Sequence, residues 1–216
     1  MDVMDFFRAS SGRWFSQRNS HHLAMRRSEG GRSEIEITCL QPDNPEVIEI
    51  CRLHKFAPER ATGAALVVWK GTVDFDEDKH DGRAVLVPVP DEPGSATGSM
   101  LRDVGYAEIE PVVGRYRMGD DDALTLITKY SETESEERLW FASPNLRLRA
   151  SILKRWGGFS MTTFCSEIRM GDVSKPAVTE AKGQRTWPSQ QKAAELPDWL
   201  KEELASKGME LPTDEN

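Results

Sequence analysis

A run of alternating arginines is the part of the sequence best suited to chemistry. Within residues 146–152, a β-strand places Arg147, Arg149 and Ser151 on one face and apolar residues on the other. One interpretation is a solvated outer face. The other turns the arginines into a protein interior, where buried guanidinium groups need carboxylates from the protein or from a ligand. Glu137 and Glu167 lie on flanking predicted strands and are the candidate partners.

The turn between the last two predicted strands decides whether Glu167 faces Arg149. A two-residue turn at Gly157 and Gly158 places the two side chains on opposite faces of the sheet. A three-residue loop sets them opposite each other on one face. The sequence is compatible with both registers.

Two more residues could line the same interior. Arg18 is either a third inward cation or an ordinary surface arginine, and Trp69 is either pocket lining or core. A metal site is not expected, because the adjacent His21 and His22 point to opposite faces of a strand and no third ligand is evident. The sequence also contains neither a glycine-rich phosphate loop nor a nucleophile triad.

Short strands separated by turn residues must position these side chains. The predicted strands cover residues 34–40, 64–75, 84–89, 106–118, 123–130, 138–141, 146–155 and 160–170. A short helix over residues 3–11 precedes them, and a second helix begins at Asn44 with Pro45 in its first turn. Residues 76–82 and 91–98 are predicted loops. This pattern predicts a mainly β protein, a closed antiparallel β-barrel with short N-terminal and inserted helices.

The tripeptide Gly12-Arg13-Trp14 favours a barrel like that of the lipocalins and fatty-acid-binding proteins. Glycine allows the tight turn from the N-terminal helix into the first strand, and tryptophan can plug one end of the barrel. The predicted barrel covers residues 1–172. Residues 173–216 form a C-terminal extension of connectors with one short amphipathic helix over residues 197–207.

The distribution of charge bears on the ligand. The 216 residues carry a net charge of −8, which argues against nucleic-acid binding. Residues 1–33 nevertheless carry +3 and residues 143–171 carry +4, which indicates a local anionic ligand. The chain has no apolar run long enough to span a membrane and no signal-peptide pattern, so a soluble, non-exported protein is expected. The three scattered cysteines indicate neither a disulfide framework nor structural zinc.

Several ordered motifs resemble the S-type phycobiliprotein lyases, the group named CpcS, CpeS and CpeU. The resemblance covers about residues 1–171, and its motifs are Met4-Asp5-Phe6-Phe7-Arg8, Gly12-Arg13-Trp14-Phe15-Ser16-Gln17-Arg18, Ser20-His21-His22-Leu23-Ala24, Trp140-Phe141-Ala142-Ser143-Pro144-Asn145-Leu146-Arg147-Leu148-Arg149, Gly157-Gly158-Phe159-Ser160 and Phe164-Cys165-Ser166-Glu167-Ile168-Arg169. The extension after residue 172 is not part of it.

The resemblance implies a lipocalin-like barrel that binds an open-chain tetrapyrrole, phycocyanobilin or phycoerythrobilin, without a covalent bond. It also implies transfer of that bilin to a cysteine of an apo-phycobiliprotein subunit through a thioether. By position, the pocket residues are Arg18, Trp69, Glu137, Arg147, Arg149, Ser151 and Glu167, with Glu136 as an alternative to Glu137. Trp140 is predicted to line the pocket as well, because Trp69 and Trp140 can supply aromatic surface to the bilin. Arg18, Arg149 and Glu167 are the predicted catalytic residues.

The chemistry of a bilin agrees with these residues. Its two propionates require at least two cations inside a barrel, and Arg18, Arg147 and Arg149 are candidates. The pyrrole N–H groups require a carboxylate such as Glu137 or Glu167. No further cofactor is expected, because the bilin is the substrate and the acceptor supplies the thiol. The predicted location is the cyanobacterial cytoplasm or a plastid stroma.

Three other interpretations use the same sequence. A bilin carrier would deliver its ligand without catalysing attachment. An interaction protein would use the C-terminal extension to dock onto another subunit. A fatty-acid carrier would need one cation rather than three. Pairing with a second copy of the chain, or with a second lyase subunit, is also compatible with the sequence.

Overall fold

A short helix begins the fold of the computed structural model, which describes residues 1–74, 80–103, 112–130, 132–155 and 158–171. Helix α1 (Val3–Ser10) starts with a capping box, in which the Asp2 and Asp5 side chains accept hydrogen bonds from each other's backbone N–H. Gly12 follows with φ +115°, a left-handed conformation that glycine adopts without strain. The chain therefore turns sharply from α1 into the first strand.

The described chain then forms ten β-strands and a second helix. The strands are β1 (Gly12–His22), β2 (Arg27–Leu40), β3 (Ala64–Val73), β4 (Gly82–Pro90), β5 (Thr97–Arg102), β6 (Val113–Met118), β7 (Leu124–Lys129), β8 (Thr133–Ser143), β9 (Leu146–Arg155) and β10 (Gly158–Met170). Each strand pairs antiparallel with the next, and β10 pairs with β1 to close the barrel. The predicted closed antiparallel barrel is confirmed.

Two helices cover two different parts of the barrel. Helix α1 closes one end, where its Phe6 packs against Phe141 with ring centroids 5.2 Å apart. Helix α2 (Pro45–Leu53), capped by Asn44, covers the outer face of β4 and β5 with an apolar stripe. Because β1 runs away from α1, His22 lies at the opposite end of the barrel, which we call the distal end.

The strand prediction differs from the structure at β2, β5, β6 and β8. Strand β2 begins at Arg27, seven residues earlier than predicted. Strand β5 was not predicted, because the Thr97-Gly98-Ser99 sequence at its start is typical of a turn. In the predicted strand 106–118, the described residues form a strand only from Val113. Strand β8 begins at Thr133, five residues earlier than predicted. The prediction missed this start because its Ser and Glu residues are polar, although alternate ones face the interior. Most of the predicted loop 76–82 and all of the predicted extension lie outside the described residues.

Arg169 joins three elements at the closed end. It donates hydrogen bonds to the carbonyls of Ala9 (2.7 Å) and Ser11 (2.6 Å) at the end of α1, and to that of Pro144 (3.2 Å) between β8 and β9. Its guanidinium carbon lies 4.1 Å from the centroid of the Trp14 ring. Burial lowers the pKa of Arg169, but an arginine remains protonated at neutral pH. The positive charge of Arg169 therefore stabilises the carbonyl groups at the C-terminal end of α1.

Replacing Arg169 is expected to loosen α1 from the barrel. Arg169→Met removes charge-assisted donors from carbonyls that would then be left without them, so we expect a loss of about 2–4 kcal/mol in the free energy of unfolding. Urea unfolding followed by circular dichroism measures this change. Arg13→Met, which removes an exposed ion pair with Glu34, is the control and should cost less than about 1 kcal/mol. Equal losses in the two variants would contradict this role.

Candidate functional site

The alternating arginines face the inside of the barrel. Arg147 and Arg149 point inward from β9, and Glu167 points inward from β10. The Nε of Arg147 lies 2.6 Å from Oε2 of Glu167, and these side chains are only 5 % and 1 % exposed. The interpretation of a solvated outer face is therefore wrong. Burial lowers the pKa of Arg147, and the neighbouring Glu167 carboxylate opposes that shift.

The register of β10 differs from both predicted alternatives. Glu167 pairs directly with Arg147, two residues from Arg149, which is its partner in the three-residue-loop alternative. An irregularity between Phe159 and Met161 shifts the register by one residue. This shift gives Glu167 the same facing as both arginines. The length of the turn alone does not predict this register shift.

Arg149 connects two buried carboxylates, and one more arginine completes the cluster. Arg149 Nη1 lies 3.6 Å from Oε1 of Glu137, and its Nε lies 3.8 Å from Oε1 of Glu167. Arg102 Nη2 approaches Oε2 of Glu137 at 3.6 Å from the other side. We call Arg102, Glu137, Arg147, Arg149 and Glu167 the inner polar cluster. Sequence analysis missed Arg102, because it ends the strand that was not predicted.

Arg18 also faces the interior, next to this cluster. It pairs across β1 and β10 with Cys165, which pairs on its other side with Arg149. The two arginines therefore occupy one layer, two strands or about 10 Å apart. Within the described residues, the buried Nε of Arg18 has no hydrogen-bond partner. Gly31 leaves room beside it, because a Cβ there would stand 3.2 Å from that nitrogen.

Trp69 and Ser151 lie in the interior as the sequence suggested. Trp69 is half-buried on β3, packs against the inner core, and lies so close to Gly82 that a Cβ there would clash with its ring. Ser151 pairs with Glu137 on one side and with Thr163 on the other. Both residues border the inner polar cluster or the core beside it. Their roles in ligand binding stay predictions.

The prediction for Trp140 needs correction. On β8 the inward positions are odd-numbered, so Trp140 lies on the outer face, where its ring centroid is 6.4 Å from that of Phe164. Phe164 is itself 48 % exposed. The same alternation places Glu136 outside and Glu137 inside, so Glu136 does not replace Glu137. Trp140 was misassigned because its aromatic side chain suits a bilin, although the sequence argument did not determine which face of β8 it lies on.

The part of the interior around the inner polar cluster is rich in arginine. Arg18 and the three arginines of the cluster lie beside two carboxylates of the described residues, Glu137 and Glu167. Arginines in a barrel interior bind carboxylates through charge-assisted hydrogen bonds, so this region suits an anionic ligand. Among the described residues, no group of three His, Cys, Asp or Glu could hold a metal ion. No described helix is long and apolar enough to cross a membrane.

A barrel closed at one end by a helix, with a cationic interior, defines the class of small-molecule-binding barrels of the lipocalin type. The family model described as CpeS-like protein matches residues 2–170, and the chain belongs to this family. A protein named Chromophore lyase CpcS/CpeS 2 from Synechococcus sp. is 55 % identical over 86 % of this chain and 100 % of its own length.

Two further relatives extend this comparison. Chromophore lyase CpcS/CpeS from Thermosynechococcus vestitus is 56 % identical over 82 % of this chain and 97 % of its own length. The solved structure of the S-type phycobiliprotein lyase CPES from Guillardia theta has a TM-score of 0.71 and 36 % identity, covering 80 % of this chain and 95 % of that one. The barrel and the family assignment therefore agree.

Proposed function

We propose that this protein is a phycobiliprotein chromophore lyase. It binds an open-chain tetrapyrrole, phycocyanobilin or phycoerythrobilin, without a covalent bond and catalyses its thioether attachment to a cysteine of an apo-phycobiliprotein subunit. The observation that carries the proposal is the group of inward arginines, in which the buried Nε of Arg18 has no hydrogen-bond partner among the described residues and so suits a propionate of a bilin. The lyase names of the relatives support it.

Different side chains of the barrel bind different groups of the bilin. Arg18 and Arg149 bind the propionates through charge-assisted hydrogen bonds, and their spacing of about 10 Å suits two separate carboxylates. Glu137 and Glu167 accept hydrogen bonds from the pyrrole N–H groups. Trp69 offers an aromatic surface to the conjugated rings. Arg147 and Ser151 complete the lining.

The chemistry is the addition of a thiol across a double bond. The sulfur of the acceptor bonds to the exocyclic carbon of the ring A ethylidene, the thiol loses its proton, and a ring carbon gains one. Electrons balance without an oxidant or reductant, so no cofactor beyond the two substrates is needed. Glu167, held by Arg147 and Arg149, keeps the bilin in its protonated form. Positioning and shielding by the barrel supply much of the rate.

A transfer assay tests the proposed function. The purified protein is mixed with phycocyanobilin and an apo-phycobiliprotein subunit, and the mixture is denatured in acid urea. We expect colour fixed covalently to the acceptor, formed faster and with a cleaner spectrum than in a reaction without this protein. Colour that stays with this protein and is lost on denaturation would identify a bilin carrier instead. Binding of a fatty acid in preference to the bilin would contradict both.

The source organisms of the relatives support a cellular location for the reaction, and the outer surface of the barrel supports pairing with another chain. The two cyanobacterial sources support a location in the cyanobacterial cytoplasm, with the plastid stroma as its algal counterpart. The outer surface formed by the exposed Phe164 and Ile168, with the half-buried Trp140 beside Phe164, supports pairing with another lyase chain. Light scattering of the purified protein decides whether that chain is a second copy, and monomers would leave a different lyase subunit as the partner.

A further inference from the structure

One ion pair of the inner polar cluster joins strands that are not neighbours. Arg102 ends β5 and Glu137 lies in the middle of β8, with β6 and β7 between them around the barrel. The Nη2 of Arg102 nevertheless lies 3.6 Å from Oε2 of Glu137, and the two side chains are 5 % and 6 % exposed. Strand pairing does not bring these residues together, so the contact depends on the length and direction of the arginine side chain.

The backbone at the end of β5 is held from two sides. The Nε2 of His54, which follows α2, donates a hydrogen bond to the Arg102 carbonyl at 2.8 Å. The carboxylate of Asp103 accepts a hydrogen bond from the backbone N–H of Val85 on β4 at 2.9 Å. The Arg102 side chain therefore extends from a fixed point, as a residue that orients another side chain requires.

The two carboxylate oxygens of Glu137 have different surroundings. Oε2 faces Arg102, whereas the buried Oε1 has no hydrogen-bond partner within the described residues and lies 3.6 Å from Nη1 of Arg149. The register partners of Glu137 are Leu126 on β7 and Ser151 on β9, and neither carries a charge. A buried carboxylate oxygen without a hydrogen bond is unfavourable, which indicates that a donor on a ligand completes it.

The other inward carboxylate of the cluster is used more fully by the protein itself. Oε2 of Glu167 accepts a hydrogen bond from Nε of Arg147 at 2.6 Å, and its Oε1 lies 3.8 Å from Nε of Arg149. Glu137, in contrast, faces an arginine with one oxygen and has no hydrogen bond on the other. Glu137 therefore has more capacity left to accept hydrogen bonds from a ligand.

We propose that Arg102 is a positioning residue that fixes the Glu137 carboxylate so that Oε1 accepts hydrogen bonds from the pyrrole N–H groups of the bilin. This inference rests on the proposed function and deepens it. A protonated bilin carries its positive charge on these N–H groups, and an ionised carboxylate is the acceptor that stabilises this form. The charge of Arg102 in turn stabilises the ionised carboxylate in an interior of low dielectric constant. Arg102 acts through Glu137 and binds no part of the bilin itself.

A double-mutant cycle tests whether Arg102 acts through Glu137. Absorbance titration gives the Kd for phycocyanobilin of Arg102→Gln, Glu137→Gln and the variant that carries both changes. We expect each single change to raise the Kd about tenfold, and the double variant to bind no more weakly than Glu137→Gln alone. The control is Arg115→Gln on the neighbouring strand β6, which removes an exposed ion pair with Asp91 and should leave the Kd unchanged.

The spectrum of the bound bilin separates positioning from a purely structural role. At saturating phycocyanobilin, the long-wavelength band of the protonated chromophore should be weaker in Arg102→Gln than in the unmodified protein. Arg102→Lys keeps the charge beside Glu137 and should restore much of this band. A purely structural arginine would change the stability of the barrel but not the spectrum of the bilin bound to folded protein.

Two results would overturn the role of Arg102. One is an Arg102→Gln variant with a normal Kd and a normal spectrum. The other is a double variant whose Kd rises by the product of the two single effects, because Arg102 would then bind the bilin directly. If Arg102→Gln does not fold, the double variant, which leaves neither charge of the pair, is compared with Glu137→Gln. Equal Kd values then support the inference, and weaker binding by the double variant overturns it. An unmodified protein that binds no bilin would instead refute the proposed function itself.

Discussion

Glu167→Gln is expected to lower the free energy of unfolding by about 3–5 kcal/mol. The Glu167 carboxylate lies 2.6 Å from Arg147 and is within 4 Å of Arg149, and the pair with Arg147 is almost fully buried. Removing one partner leaves a guanidinium charge in a low-dielectric interior, which costs more than the ion pair contributed. Urea unfolding followed by tryptophan fluorescence measures the loss, since Trp14 lies 5.0 Å from the Arg147 guanidinium.

A matched exposed pair provides the control for this prediction. Glu34→Gln breaks the ion pair between Glu34 and Arg13, whose side chains are about 60 % exposed, and should cost less than about 1 kcal/mol. Replacing Arg147 and Glu167 together by methionine should restore much of the stability, because neither buried charge of that pair remains and Arg149 keeps Glu137 as a carboxylate neighbour. If Glu167→Gln costs no more than Glu34→Gln, the two charges are not held in a dry interior.

The alternation along β9 made the shared face of its arginines predictable. The register between strands was not predictable in the same way, for a physical reason. Period two placed Arg147, Arg149 and Ser151 together because residues two apart on a strand share a face. The facing of Glu167 was not predictable, since it depends on a one-residue irregularity near Met161 that no turn rule encodes. Local pattern therefore predicts faces within a strand better than register between strands.

Trp140 and Arg102 show the same limit of sequence-based prediction in two ways: one residue was wrongly assigned to the interior, and the other was missed. Trp140 was assigned to the pocket for its aromatic surface, yet alternation along β8 places it on the outer face. Arg102 was overlooked although it is only 5 % exposed, because its strand begins with residues typical of a turn. Counting inward positions along the complete strand would have corrected the assignment of Trp140. The inward position of Arg102, in contrast, could be recognised only from the structure of the barrel.

The inward arginines also explain why the site should cost stability. Within the described residues the buried Nε of Arg18 has no hydrogen-bond partner, and a desolvated donor without a partner is unfavourable. A carboxylate of the ligand would complete this hydrogen bond, and binding should stabilise the fold in proportion to the affinity of the ligand.

Arg18→Ala should separate ligand affinity from stability. Within the described residues, Arg18 Nε is buried without a hydrogen-bond partner, so its removal takes no internal contact of that nitrogen from the free protein. A charge-assisted hydrogen bond to a propionate is worth about 1.5–3 kcal/mol, which corresponds to a rise of about 10- to 100-fold in the Kd for phycocyanobilin. Absorbance titration measures the affinity, and urea unfolding should show stability that is unchanged or higher.

The strand that carries Arg18 offers its own control. Arg13→Ala removes an outward arginine of β1 that is 59 % exposed, and it should leave the bilin affinity unchanged. Arg18→Lys keeps the charge but not the planar fork, so its affinity should fall between those of Arg18→Ala and the unmodified protein. An Arg18→Ala variant that binds the bilin normally would mean that the propionates are held elsewhere. Arg149 would then be the first alternative to examine, because it lies in the same layer of the barrel.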